Sequence, residues 1–598
     1  MSETTAAGGG DRAIFLVRVS IALAQAAALY WLTQTATAAP SWPASEPAVF
    51  IPLLLAFSYV PLILMVGLGQ IGPLPLAAWA VIAAAVIIGL GYHDAVRGRF
   101  GAGLWPRFEL WLVLTAIVFV AHVLVVDSVI ERRLISRYSR HFDTAWKLGV
   151  QIVLAAGFVL IFWGVLILGA ALFKLVGLEF FWHLIEQRWF RYPATTLAIA
   201  VAIHVTDVQP ALIRGTRTLA LTLLSWLLPL LAVIALGFLG SLPFISLDPL
   251  WRTHRATALL LTAAGLLVFL INSFYQDGVS GEAPAAGDVG TRVKHVAAIV
   301  GAIELIPLVA LSAWALSLRV GQYGWSVERV FAAAVIVVAA CYAAGYAGAA
   351  ALSAATLKRI ELTNFVAAYV FLIFALALFS PLVDPARLMV ADQMARLKSG
   401  AIAPDKFDFT ALKFDGACWG HAALVALSQD KEGPGAATIS SLAARALAAP
   451  TRYGTAVPNG TQPSEAAMAA RVTVFRAGRT LPAGFLDLTS GPFNAATLPF
   501  CLRMTKGKTC SARYLTLVPG QPEAILFLDL SAGIILQPDA SGHWHQTGRL
   551  AGALYCRPVR EGLERGAFSV EPHGAPDLVV GNMRLDIDPP AARCPNFQ

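Results

Sequence analysis

Residues 148–175 read LGVQIVLAAGFVLIFWGVLILGAALFKL, an uninterrupted apolar run in which Gln151 and Lys174 are the only strongly polar members. A helix at a water interface keeps one polar face, and this segment has none to offer. At 1.5 Å per residue it would reach about 40 Å, more than the roughly 30 Å of a bilayer's hydrocarbon core. It reads as a membrane crossing, and the rest of the first two thirds of the chain repeats it. Further runs lie at Ile14 to Trp31, Val49 to Leu68, Leu74 to Tyr92, Leu110 to Val129, Tyr192 to Val208, Leu219 to Leu239, Ala256 to Ser273, Val296 to Leu318, Phe331 to Ala351 and Phe365 to Leu382, which makes eleven.

Composition agrees. Of 598 residues 57% are hydrophobic and 13% charged, and the mean hydropathy is +0.68; a soluble domain has about 25% charged residues. The net charge of +8 comes from short basic clusters between apolar runs rather than from a basic stripe interleaved with aromatics, which argues against nucleic acid as a partner. The bilayer itself is the expected partner. The fold class is therefore mainly α, a polytopic transmembrane helical bundle of about eleven helices in residues 1–382, followed by a small helical segment in 383–450, a linker in 451–464 and an antiparallel β-rich soluble domain in 465–598.

The first run has a rival reading as a cleaved signal, since Arg12 and Arg18 lie early in it and ATA at Ala36 to Ala38 resembles a small-residue cleavage site. Gln25 and the distance from Arg18 to that site suit an uncleaved helix better. With the N-terminus inside, the cytoplasmic segments hold twelve Lys and Arg and the external loops nine, a bias that rests on ERRLISRYSR at 131–140. Eleven crossings then put the C-terminus outside. Cysteine usage points the same way: Cys341 is a small core residue of a membrane run, while Cys418, Cys501, Cys510, Cys556 and Cys594 fall in the soluble part. CLRMTKGKTC sets Cys501 and Cys510 across a short turn in an expected hairpin, and Cys556 with Cys594 makes a second candidate disulfide; such bridges persist in the periplasm and seldom in the cytosol.

After the membrane runs, Asp384 followed by Pro385 is an N-cap and first-turn pair that opens a helix through Leu397. Further helices are expected at Phe409 to Leu427 and Ala436 to Leu447. PTRYGTAVPNGTQPS, Pro450 to Ser464, has linker composition. Beyond it VTVF, RYLTLV, AILFLDL, GIILQ and RLDID are short β-rich runs divided by turn residues.

Several stretches carry a resemblance. YPATTLAIAVAIHVTD at 192–207, LINSFYQDG at 270–278, RVGQYGWSVERV at 319–330 and DPARLMVADQMARL at 384–397 resemble an uncharacterised bacterial polytopic membrane family, a domain of unknown function, over about Ile14 to Leu397. The resemblance extends in expectation to CLRMTKGKTC and the sheet after it. It implies a location in the bacterial cytoplasmic membrane and no activity or cofactor. Relatives carry an acidic, Gly-rich turn where this chain has LVPGQPEAILFL; Glu523 is its one carboxylate, which leaves no calcium site to expect.

Ionisable residues at membrane depth are costly and mark functional sites. His204 and Asp207 are spaced i, i+3 on one helical face; they could share a proton, or pair with Arg214 or Arg217. With Glu304, within the AIELIPL run, they make a candidate relay; the alternative is an interfacial cap. In the loop after Leu318, Arg319, Gln322, Tyr323, Trp325 and Arg329 combine cations and aromatics as a headgroup site would, or as any interfacial belt does. His543 and His545 lack a third ligand, so no metal is expected. Cys418 and His421 lack an orienting acid. No nucleotide loop, HExxH or GxSxG occurs. The leading functional reading is a component of envelope maintenance acting through its external domain and protein partners; an ion-coupled transporter and a membrane enzyme on lipid-linked substrates are the alternatives.

Overall fold

The protein is described by a computed structural model at residues 3–36, 40–98, 104–244, 256–278, 289–430, 432, 435–449, 452, 464–475, 479–487, 491–493, 498–503, 510–517, 520, 522–529, 533–539, 541–550, 557–565, 567, 578–580 and 583–585. The chain divides into two compact units, Met1–Ala444 and Arg445–Gln598.

The first unit is helical: α1 (Glu3–Gln34), α2 (Pro47–Gly67), α3 (Pro73–Arg97), α4 (Phe108–Glu131), α5 (Tyr138–Leu175), α6 (Phe180–Glu186), α7 (Arg188–Val208), α8 (Pro210–Ser241), α9 (Ala256–Tyr275), α10 (Val289–Tyr323), α11 (Val327–Leu352) and α12 (Arg359–Leu378). Proline at the first helical position starts α2, α3 and α8, where its missing N–H costs nothing. Among the described residues ten of these helices, all but α6 and α7, are long and apolar enough to cross a membrane. That is one fewer than the eleven runs. The eleventh, α7, is held back in hydropathy by Arg191, His204 and Asp207, yet it lies along α1: Arg188 donates to the Thr33 carbonyl at one end, and Asp207 meets Arg18 at the other. Those fifteen residues of α1 cover about 22 Å, so α7 occupies the same depth antiparallel to it.

Two large apolar clusters hold the bundle among the described residues, beside a smaller one of Ala22, Met65, Ala200 and Ile203 that joins α1, α2 and α7. One joins α1 to α4 with one end of α11 and α12, through Phe50, Ile87, Leu114, Val330 and Leu378. The other joins α8 to α12, through Leu228, Leu267, Leu305, Tyr346 and Ile360. Glycine permits close approach where helices cross: a Cβ at Gly91 would sit 3.0 Å from Pro52 Cα, and one at Gly345 would meet Thr363 at 2.2 Å. Outward-facing side chains such as Val153 and Ile161 of α5 stay exposed on the protein's own surface, as only a hydrocarbon solvent tolerates over so much area.

Three short helices complete the unit: α13 (Pro385–Lys398), α14 (Phe409–Phe414) and α15 (Ala417–Gln429), with α16 (Ala436–Ala448) reaching the boundary. Asp384 caps α13 as expected, accepting from the Ala386 and Arg387 N–H groups. The single helix expected at Phe409 to Leu427 is instead two, broken at Asp415 and Gly416, because α15 turns back onto α14 so closely that a Cβ at Gly420 would lie 1.8 Å from the Leu412 carbonyl oxygen.

The second unit contains α17 (Glu465–Ala469), α18 (Phe500–Arg503), α19 (Arg557–Arg565) and a five-stranded sheet of β1 (Val472–Val474), β2 (Cys510–Leu515), β3 (Ala524–Leu528), β4 (Gly533–Pro538) and β5 (Trp544–Leu550), in that order, beside a separate pair of β6 (Leu578–Val580) and β7 (Met583–Leu585). The sheet is mixed rather than antiparallel, since β1 pairs parallel to β2; the long connection between them returns the chain in the same direction, which a tight turn cannot do. Nor is CLRMTKGKTC a two-stranded hairpin: Cys501 belongs to α18 and Cys510 opens β2. The two are bridged all the same, with Cα atoms 5.5 Å apart. Cys556 and Cys594 lie outside the described residues, as does almost all of the linker. Strand β3 is buried along its whole length, with Ile525 and Phe527 packed with Phe485 and Phe493, and Leu526 and Leu528 in a second cluster with Leu550 and Leu563.

Candidate functional site

The His204 and Asp207 pair sits at the C-terminal end of α7, and its direct partners come from far away in sequence. Arg18 of α1, 1% exposed, donates to Asp207 Oδ2, and its Nη1 lies 3.4 Å from His204 Nδ1. The same guanidinium donates to the Met65 carbonyl at 2.9 Å and the Leu68 carbonyl at 3.1 Å. It thereby satisfies carbonyls at the C-terminus of α2, which otherwise lack partners and carry the negative end of the helix dipole. Lys147 of α5 reaches Asp207 Oδ1 at 3.1 Å. The expected partners Arg214 and Arg217 are close by but not on Asp207: Arg217 pairs with Asp143 at 2.7 Å, and no ion pair reaches Arg214 among the described residues.

Together Asp143, Lys147, Thr206, Asp207, Ile213, Arg214 and Arg217 line a polar pocket of about 270 Å³. Three cations face two carboxylates, and α8 begins beside them at Pro210, adding the positive end of a helix dipole. The pocket suits an anion. Just beyond it, α5 and α7 continue into a second, apolar cleft of about 580 Å³, lined by Ile199, Ile203, Leu148, Gln151, Ala155 and further side chains of α2, α4 and α5. Gln151 joins the two, donating to the Ile203 carbonyl and to Thr206 Oγ1. It lies one turn from Lys147 on the same face of α5.

Glu304 stands elsewhere. It is 3% exposed within α10, and among the described residues neither carboxylate oxygen has a hydrogen-bond partner and no hydrogen bond or ion pair joins it to His204 or Asp207. The loop residues are also engaged. Asp392 accepts from the Trp325 N–H at 2.8 Å, Gln393 donates to the Tyr323 and Trp325 carbonyls, and Arg396 donates to the Gly321 and Gln322 carbonyls. Arg329 donates to the Gly324 carbonyl, and the guanidinium groups of Arg319 and Arg329 lie over the Tyr323 ring. The QYGW loop is thus clamped onto α13. His543 hydrogen-bonds Ser541, Glu523 pairs with Arg479, and no cluster of His, Cys, Asp or Glu fit for a metal occurs among the described residues.

The family model of a domain of unknown function, DUF4153, matches residues 53–416, more than half of the chain. The chain belongs to the DUF4153 family. No curated protein and no solved structure matches it. The DUF4153 match begins later than Ile14 and ends at Gly416, so the extension of the resemblance to CLRMTKGKTC and the sheet is not supported; the β-rich unit lies outside the DUF4153 region. Arg18 lies outside it too, although its partner Asp207 lies within.

Further polar ties fall inside the DUF4153 region. Asp384 is fully buried, 2.8 Å from His93 Nε2 and 3.2 Å from Arg97 Nε. Burial pushes its carboxyl up, but the His93 hydrogen bond, the Arg97 charge and the Ala386 N–H outweigh that and hold it below the usual carboxylate range. The nearby Cys418 thiol is pushed up by burial and by Asp384, the opposite of an activated nucleophile. Asn272 of LINSFYQDG closes a ring of hydrogen bonds with Asn364, Tyr346 and Tyr138, and Tyr275 donates to Glu361. The sequence marked Arg18 and Gln151 only as polar residues interrupting apolar runs, which was the one available signal; Asp143 and Lys147 gave none.

Proposed function

We propose that this protein acts in the bacterial cytoplasmic membrane, with its C-terminal unit outside, in envelope maintenance by handling an anionic lipid. The observation that carries the reading is the meeting of a cation-lined pocket with an apolar cleft along one face of α5 and α7. A phosphate headgroup beside Lys147, Arg214 and Arg217 would leave its acyl chains pointing into the cleft, the amphipathic match that a lipid requires and a soluble anion does not. Asp207 and His204 serve this site by holding Arg18 and Lys147 in place. Envelope protein partners would engage the C-terminal unit.

Arg214 offers the cleanest test, because it is exposed and pairs with no described residue, so Arg214→Gln should leave the fold intact. Delipidated protein in detergent, titrated with phosphatidylglycerol and phosphatidylcholine of matched chains and read by native mass spectrometry, is expected to retain the anionic lipid preferentially. Arg214→Gln combined with Arg217→Gln should lower that retention about tenfold, equivalent to about 1.4 kcal/mol. Equal retention of the two lipids by the unaltered protein would refute the proposal.

A further inference from the structure

We infer that the cleft between α2, α4, α5 and α7 selects a lipid bearing a hydroxyl or a secondary amide. This rests on the preceding reading of the pocket and cleft as a lipid site, and adds what the ligand must carry below its headgroup. Two buried polar side chains, His122 of α4 at 3% exposure and Gln151 of α5 at 2%, lie in a largely apolar lining, whose Tyr59 and Thr115 hydroxyls and Trp163 N–H are hydrogen-bonded within the protein.

Their unused atoms can be identified. The Trp79 indole N–H donates to His122 Nδ1 at 3.2 Å; an indole can only donate, so Nδ1 accepts and the neutral ring carries its proton on Nε2. That Nε2–H has no partner among the described residues. The Gln151 amide nitrogen donates to the Ile203 carbonyl and Thr206 Oγ1; a carbonyl can only accept, which fixes the nitrogen and leaves Oε1 as the acceptor. It too has no partner among the described residues. The wall of the cleft therefore holds, fully buried, one unmet donor and one unmet acceptor, and buried polar groups rarely go unpaired. A saturated acyl chain answers neither, and an ester carbonyl answers only the donor. A hydroxyl, or an amide through its N–H and carbonyl, carries both the acceptor and the donor that match them, and a site built around a polar partner discriminates strongly against the analogue that lacks it.

The test uses the full-length protein in detergent and two lipids with the same phosphate monoester headgroup and matched chains: phosphatidic acid, with two esters, and ceramide 1-phosphate, with an amide and a hydroxyl. Native mass spectrometry of the competition should show ceramide 1-phosphate favoured about tenfold. His122→Phe and, independently, Gln151→Leu should bring that ratio close to one; two variants guard against a folding defect in either. Equal binding of the two lipids by the unaltered protein overturns the inference yet leaves the lipid site standing, as would a preference that both variants preserve. Failure of both lipids to bind, or their full displacement by inorganic phosphate, would instead overturn the underlying reading, since the pocket would then hold an anion without engaging the cleft.

Discussion

Asp384 does three things at once: it caps α13, pairs with Arg97 and accepts from His93, all while fully buried. Its carboxyl lies below the ordinary value, so it contributes stability that is present above that ordinary value, about 3.9, and is lost as pH falls through the lowered folded value. Acidification into that range is expected to release α13, read as faster hydrogen exchange in residues 385–398. Asp384→Asn keeps the cap but leaves the Arg97 charge buried without its counter-ion, a loss of about 3–5 kcal/mol by analogy with other broken buried pairs. Its exchange should be fast at neutral pH and change little with acid; a variant exchanging like the parent at pH 7 would show the pair to be dispensable.

At the scale of elements, the recurring device is a polar tie between a helix and a loop or a second helix. The loop from α10 to α11 is held to α13 through main-chain groups, which explains why the stretch carries glycine: Gly324 has φ +74°, and a Cβ there would sit 2.5 Å from Asp392 Oδ2. Gly324→Ala combines backbone strain with that clash, whereas Gly400→Ala, at φ +73° with nothing within 4 Å of its Cβ, imposes the strain alone. The first is expected to cost about 1 kcal/mol more than the second and to expose Arg319 and Arg329 to trypsin. Comparable cleavage of the two variants would mean that the clamp is not what orders the loop.

For the whole molecule, sidedness is the property from which the rest of the biology depends. A C-terminal unit outside the cytoplasm should show Cys501 and Cys510 as a disulfide-linked peptide in unreduced protein from cells, and a reporter that works only outside the cytosol should be active when fused after Gln598. Replacing both cysteines with serine removes a short-loop crosslink from the unfolded chain and should cost about 2–3 kcal/mol of that unit's stability. Free thiols at both positions together with a reporter active only in the cytosol would reverse the proposed orientation.

The class of this protein is legible in its residues alone, because an apolar run such as 148–175 has no polar face and a membrane helix satisfies its own backbone. So are local features set by neighbours in the chain, such as the Asp384 cap and the closeness of Cys501 to Cys510. Which residues meet across the bundle is a matter of packing. Nothing near HVTD indicates that Arg18, 189 residues away, would take Asp207, or that QYGW and ADQMAR would close on each other. A tie across the bundle depends on which helix faces lie side by side, and hydropathy, which fixes a helix's depth, carries no information about its neighbours. The parallel pairing of β1 with β2 escaped for the same reason: strand runs are local, whereas the direction in which a long connection returns is a property of the packed whole.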